Sequence, residues 1–118
     1  MMKIAIWGYG KYGRRMLESL TRFCSDEYEV VRVYDVNYRS LVSTEGKLRL
    51  QIHNPEELAE DYRNGLFEKV LLCFLWYDVL TRAKNYLINN SIPWLHLGSE
   101  GDFFPASSFE QGIKPFDI

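Results

Sequence analysis

Two cysteines, Cys24 and Cys73, are too few and too isolated for a disulfide framework, a metal-ligand set or a redox motif, and they fit a reducing compartment. Long apolar runs are missing as well. The longest covers residues 70–77, far short of the roughly 20 residues that span a bilayer. Charge of one sign is also scarce. The formal net charge is −2 and the Lys and Arg residues are scattered, which gives no basic field for nucleic acid. An apolar strand begins within the first few residues, leaving no room for a signal peptide. Together these absences describe a cytoplasmic domain with neither membrane nor nucleic acid as partner. At 118 residues the chain has room for one core and one domain.

Aromatic side chains are plentiful: eight Tyr, seven Phe and three Trp. Core packing accounts for most of them, and some are expected to line a ligand cleft or a subunit contact.

The chain is organised around its opening stretch, Lys3-Ile4-Ala5-Ile6-Trp7-Gly8-Tyr9-Gly10-Lys11-Tyr12-Gly13. A short apolar strand turns abruptly into a helix, with glycines at the first, third and sixth positions of the turn. Gly8 permits the tight exit from the strand, Gly10 lets a pyrophosphate approach the backbone, and Gly13 lets the helix pack close to the sheet. The helix aims unpaired amides and a partial positive charge at the gap, which suits an anionic phosphate. Met16, Leu17, Leu20 and Phe23 then recur at helical spacing, predicting an amphipathic helix over residues 11–23. Residues 28–34 are rich in β-branched and aromatic side chains and predict a second strand that closes on Asp35. Asp35 stands 22 residues beyond Gly13, close to the roughly 20-residue remove at which a carboxylate accepts both ribose hydroxyl protons of an adenosine. The plainer role for such an acid is a turn or cap at a strand end.

Residues 36–47 carry no period, so the helix usual at this point is short or replaced by loop. Residues 48–52 alternate as an edge strand does. Asn54-Pro55-Glu56-Glu57 announces a helix, with Asn at the N-cap, Pro at the first position and acids in the first turn. Glu56, Glu57, Glu60 and Asp61 read as a solvated face rather than as catalytic carboxylates. Asn64-Gly65 ends that helix. The unbroken apolar run 70–77 predicts a strand covered on both faces. Asp78 is then the expected N-cap of a helix marked by Val79, Leu80, Ala83, Leu87 and Ile88. Residues 92–98 predict a fifth strand with Pro93 at its start. Residues 99–118 read as an irregular tail, with one short helix around residues 106–111. Its Phe103, Phe104, Phe109 and Phe116 would either pack back on the domain or supply a homodimer contact.

Strands alternating with helices through short loops predict an α/β fold with a parallel sheet of about five strands, order 3-2-1-4-5, and helices on both faces. The cleft then lies at the carboxyl ends of strands one and four, where the order reverses. Tyr9, Lys11, Tyr12, Asp35, Trp76, Tyr77 and Asp78 are expected to converge there.

With its glycine turn and Asp35, the chain resembles the NAD(P)-binding Rossmann-fold domains over about residues 1–98. Residues 52–97, with Pro55-Glu56-Glu57-Leu58, Phe67-Glu68-Lys69-Val70-Leu71-Leu72 and Ile92-Pro93, are similar to a subgroup attached to bacterial polysaccharide and nucleotide-sugar enzymes. The resemblance implies a nucleotide ligand, NAD or a nucleotide sugar, at Gly8, Tyr9, Gly10, Lys11, Tyr12, Gly13, Asp35, Trp76 and Tyr77. The amides of residues 9–13 would hold the diphosphate and Asp35 the ribose, which favours NAD over NADP. Tyr9 and Tyr12 depart from the small side chains usual in such a turn, and two rings there would narrow the phosphate site. A sixth strand is not expected, which would leave the nicotinamide half of the cleft poorly built.

An accessory, non-catalytic module, free-standing or joined to a partner domain in a longer protein, is the leading expectation. A small NAD-dependent oxidoreductase and an NAD-sensing regulatory domain are the alternatives. Hydride transfer needs a proton donor, for which Tyr77, Asp78, His96 and Cys73 are the candidates, and the Tyr-x-x-x-Lys spacing of short-chain dehydrogenases is absent around Tyr77. Ile6 stands where a methyltransferase usually carries an acid.

Overall fold

The strands run parallel throughout, in the order β3-β2-β1-β4-β5. The structure is a computed structural model and describes residues 1–40, 51–74 and 76–95. Its elements are β1 (Met2–Trp7), α1 (Lys11–Phe23), β2 (Tyr28–Tyr34), β3 (Ile52–His53), a 3-10 turn (Pro55–Glu57) running into α2 (Leu58–Arg63), β4 (Lys69–Leu72), α3 (Tyr77–Asn89) and β5 (Trp94–Leu95). This is the Rossmann-like α/β architecture and strand order that the sequence predicts. The expected strand at residues 48–50, the end of the fifth strand and the tail 99–118 lie outside the described residues.

Period-two alternation in β1 feeds two cores. Ile4 and Ile6 face α1 and pack with Met16, Leu17 and Leu20. Ala5 faces the other way, where Leu58 of α2 and Ala83 and Leu87 of α3 cover the sheet. A strand buried on both faces has no use for polar alternation, which is why β1 from Ile4 onward and β4 from Val70 onward are apolar, with Lys3 and Lys69 at the less buried entries. Each fully buried Leu or Ile contributes about 1.5–3 kcal/mol. Asn54 caps the turn before α2 as expected: its side chain accepts from the Glu56 N–H at 3.0 Å, and the Glu57 carboxylate accepts from the Asn54 N–H at 3.2 Å.

Two boundaries and the exposure of one residue differ from the sequence expectation. β4 ends at Leu72 instead of reaching residue 77, because its partner β1 ends at Trp7; among the described residues one further bond, Cys73 N–H to the Trp7 carbonyl at 2.9 Å, continues the ladder. Trp76, and not Asp78, is the N-cap of α3: its carbonyl accepts from the Leu80 N–H at 2.9 Å, and Asp78 sits in the first turn, where a carboxylate complements the helix dipole. Ile88, expected on the apolar stripe, is exposed.

On the α2 face, the Tyr34 hydroxyl donates to Asp61 Oδ2 at 2.5 Å, and Arg32 Nε lies 3.8 Å from the same oxygen. Tyr34→Phe removes that donor from a largely buried carboxylate. The expected loss is about 1–2 kcal/mol of stability, read as a lower urea midpoint at unchanged slope.

Burial, reinforced by the hydrogen bond that the hydroxyl donates to Asp61, also raises the Tyr34 hydroxyl well above its ordinary value of 10.0. Burial first, and then the neighbouring Cys73, does the same to Tyr12. Burial alone lifts the Cys73 thiol far above its ordinary 9.0. These groups keep their protons in the folded chain after the unfolded chain has lost them. Their contribution to stability is therefore complete below about pH 9 and is lost as the pH rises beyond it. Denaturation midpoints are expected to fall between pH 8 and pH 11.

Candidate functional site

At the carboxyl end of β1 the backbone leaves the sheet at Gly8 with φ +105°, a conformation that side chains resist. A Cβ there would stand 2.9 Å from both the Cys73 carbonyl and a ring carbon of Phe74. Gly13 is tighter still, for its Cβ would lie 1.9 Å from the Gly8 carbonyl oxygen. The first turn of α1 thus rests directly on the strand exit. Gly10 is different. It is exposed, its φ is −84°, and a Cβ there would meet nothing within 4 Å.

Gly10 is also the N-cap of α1, with no side-chain cap, and no acid stands in the first turn. Lys11, Arg14 and Arg15 lie beside it around a small cavity of about 360 Å³ that Tyr9 and Gly10 also line. Cations at a helix N-terminus add to the dipole's positive potential instead of offsetting it, so the place favours an anion. The two tyrosines do not plug the gap. Tyr9 and Tyr12 are buried in the α1-side core, and the Arg14 guanidinium lies 5.4 Å from the Tyr9 ring centroid.

Asp35 follows β2 and meets the turn. Its Oδ2 accepts from the Tyr9 N–H at 2.6 Å and its Oδ1 from the Asn37 N–H at 2.8 Å. The Gly8 N–H donates to the Tyr34 carbonyl at 2.8 Å. The Tyr9 amide, expected to face a diphosphate, is therefore engaged by Asp35.

Beyond Asp35, on the α3 face, opens a cavity of about 490 Å³. Its wall is aromatic, with Trp7 packed edge-on against Phe74 at 5.7 Å and against Tyr86 at 5.5 Å. Val79, Arg82 and Ala83 of α3 close one side, and Val36, Pro55 and Glu56 the other. An apolar chamber with a few polar groups in its lining has the general make-up of a small-molecule site. Of the residues singled out from sequence, the fold brings together Gly8, Tyr9, Gly10, Gly13 and Asp35. Lys11 lies on the smaller cavity and Tyr12 beneath the turn. Trp76 and Tyr77 are 77% and 79% exposed and line neither cavity. His96 lies outside the described residues.

Asp35 apart, the wall of this cavity carries no signal of a site in the sequence. Residues 79, 82, 83 and 86 do share one face of a helix, but only the strand order reveals that this face borders the reversal point.

Among solved structures the fold is similar to a UDP-D-quinovosamine 4-dehydrogenase from Vibrio fischeri, with a TM-score of 0.67, 18% identity, and coverage of 84% of this chain and 80% of that one. RSP, a Rex-family repressor, matches with a TM-score of 0.69 and 14% identity over 91% of this chain. The same repressor in complex with β-NADH matches with a TM-score of 0.67 and 14% identity, again over 91% of this chain. This chain spans half the length of the repressor, at 50%. No protein-family model matches the sequence, and no match is found among the curated proteins. Among the described residues no helix is long and apolar enough to cross a membrane. At these identities the likeness establishes a shared architecture alone, a parallel α/β sheet of the Rossmann type.

Proposed function

We propose that this chain is a nucleotide-binding domain whose ligand is NAD. The open approach at Gly10, in front of an uncapped helix and one residue from the Tyr9–Asp35 contact, is the observation that carries the reading. The amides of Gly10, Lys11, Tyr12 and Gly13 would hold the diphosphate, with Lys11 and Arg14 adding charge. Ribose hydroxyls would donate to the remaining lone pairs of Asp35, and the base would enter the chamber walled by Trp7, Phe74 and Tyr86. The Rex-family repressor of similar fold was solved with NADH, which supports the same class of ligand here. A nucleotide sugar shares the diphosphate and the ribose, so the same cradle suits it, and the likeness to a UDP-sugar dehydrogenase favours it as the second reading.

The domain is further proposed to be an accessory module of cytoplasmic nucleotide-sugar or polysaccharide metabolism, binding without catalysis. Cys73 is buried and stays a thiol, and Tyr77 points to solvent. Neither is suited to exchange a proton with a ligand in the cleft. A homodimer, or a partner domain in a longer protein, is part of the same proposal.

Thermal unfolding with NAD, NADP, a UDP-sugar and S-adenosylmethionine tests the reading. NAD at a hundredfold excess over its Kd is expected to stabilise the fold by about 2.7 kcal/mol, and NADP and S-adenosylmethionine by nothing measurable. No shift with either NAD or a UDP-sugar would end it. Turnover of any NAD-linked substrate by the chain alone would overturn the non-catalytic assignment.

A further inference from the structure

Asp35 has work to do before any ligand arrives. Its two carboxylate oxygens take the Tyr9 and Asn37 amides at 2.6 and 2.8 Å. Its own N–H donates to the His53 carbonyl at 3.1 Å, and its carbonyl accepts from the Tyr38 N–H at 3.1 Å. One residue thereby joins the glycine turn, the connection after β2 and the end of β3. We infer that Asp35 is an anionic clasp, a positioning residue that fixes the glycine turn against the β2–β3 connection in the ligand-free protein. This goes beyond the ribose contact proposed above, and only the ligand arm of its test rests on that reading.

The clasp needs a carboxylate and not merely its shape. Both partners are N–H donors, and an ionised carboxylate is acceptor-only. An asparagine has one oxygen and one NH₂, so whichever way it turns, it sets a donor against the Tyr9 or the Asn37 amide. A residue that met only ribose hydroxyls would tolerate asparagine, because a hydroxyl both donates and accepts. Short bonds to an ionised acceptor are about twice as strong as neutral ones, so the clasp holds the turn firmly. A carboxylate gripped on both oxygens also has little freedom to swing aside for a 2′-phosphate.

The test uses the full ligand-free chain and amide-resolved NMR. In the unaltered protein, a scalar coupling across the hydrogen bond should link the Tyr9 nitrogen to the Asp35 carboxylate carbon. Its absence would overturn the inference without reference to any variant. In Asp35→Asn and Asp35→Ala, the Tyr9 or Asn37 amide should exchange with solvent roughly ten-fold faster or more, against unchanged α3 amides. Wild-type protection of both amides in Asp35→Asn would overturn it. NAD titrated into the same samples separates the two readings. The coupling without NAD binding supports the clasp and removes the NAD assignment, whereas weakened NAD binding in Asp35→Ala with both amides still protected overturns the clasp and leaves the ribose contact standing.

Discussion

Gly13→Ala is expected to leave the chain without a stable native state, or to destabilise it by about 3 kcal/mol or more. The new Cβ would sit 1.9 Å from the Gly8 carbonyl oxygen and 2.9 Å from its carbon. Both are backbone atoms, so no side chain can rotate away. Alanine gains about 1 kcal/mol of helix propensity over glycine, too little to offset an overlap of this depth. Relief requires α1 to lift off β1, which opens the core where Met16, Leu17 and Leu20 meet Ile4 and Ile6. A domain of this size has only about 5–15 kcal/mol to lose. Urea denaturation and a two-dimensional amide spectrum measure the outcome, and a midpoint within error of wild type would show that the helix does not bear on Gly8 as described. Gly8→Ala should act in the same direction through its positive φ and its contacts with Cys73 and Phe74.

What the sequence made legible was local. Residues 11–23 carry helical periodicity and residues 28–34 a run of β-branched and aromatic side chains, each between clear breaks, and α1 and β2 have those bounds. The parallel sheet followed from alternation and handedness, and its order from the pattern of dinucleotide-binding folds that the glycine turn announces. What it hid was set by distant partners. Nothing within residues 70–77 marks where β4 stops, because the end is dictated by where β1 leaves the sheet. The cavity wall on α3 was equally hidden, since a helical stripe reads as core until the sheet places it beside an opening. Asp35 was legible as an acid at the right remove, but its two partners are backbone amides, and an amide has no letter in a sequence. The tyrosines misled in the other direction. Large rings in a glycine turn suggest obstruction, yet the turn points both of them down into the core.

Gly10→Ala should do the reverse of Gly13→Ala: keep the fold and lose the ligand. At φ −84° the backbone of residue 10 is open to any side chain, and a Cβ there meets nothing within 4 Å. Replacing an N-cap glycine by alanine costs about 1 kcal/mol at most, so the amide spectrum and urea slope should match wild type closely. The fold itself therefore gives no reason for glycine at this position. If a diphosphate passes over the backbone here, the reason is the ligand, because a methyl group projecting into its path either displaces it or stretches its hydrogen bonds to the α1 amides. Each such charge-assisted bond is worth about 1.5–3 kcal/mol, so NAD affinity should drop roughly ten- to a hundred-fold, with Gly10→Val falling further. Calorimetric titration of the two variants beside wild type gives the answer. An alanine variant that folds and binds NAD with undiminished affinity would mean that the phosphates take another route, and the glycine turn would then be an architectural device alone.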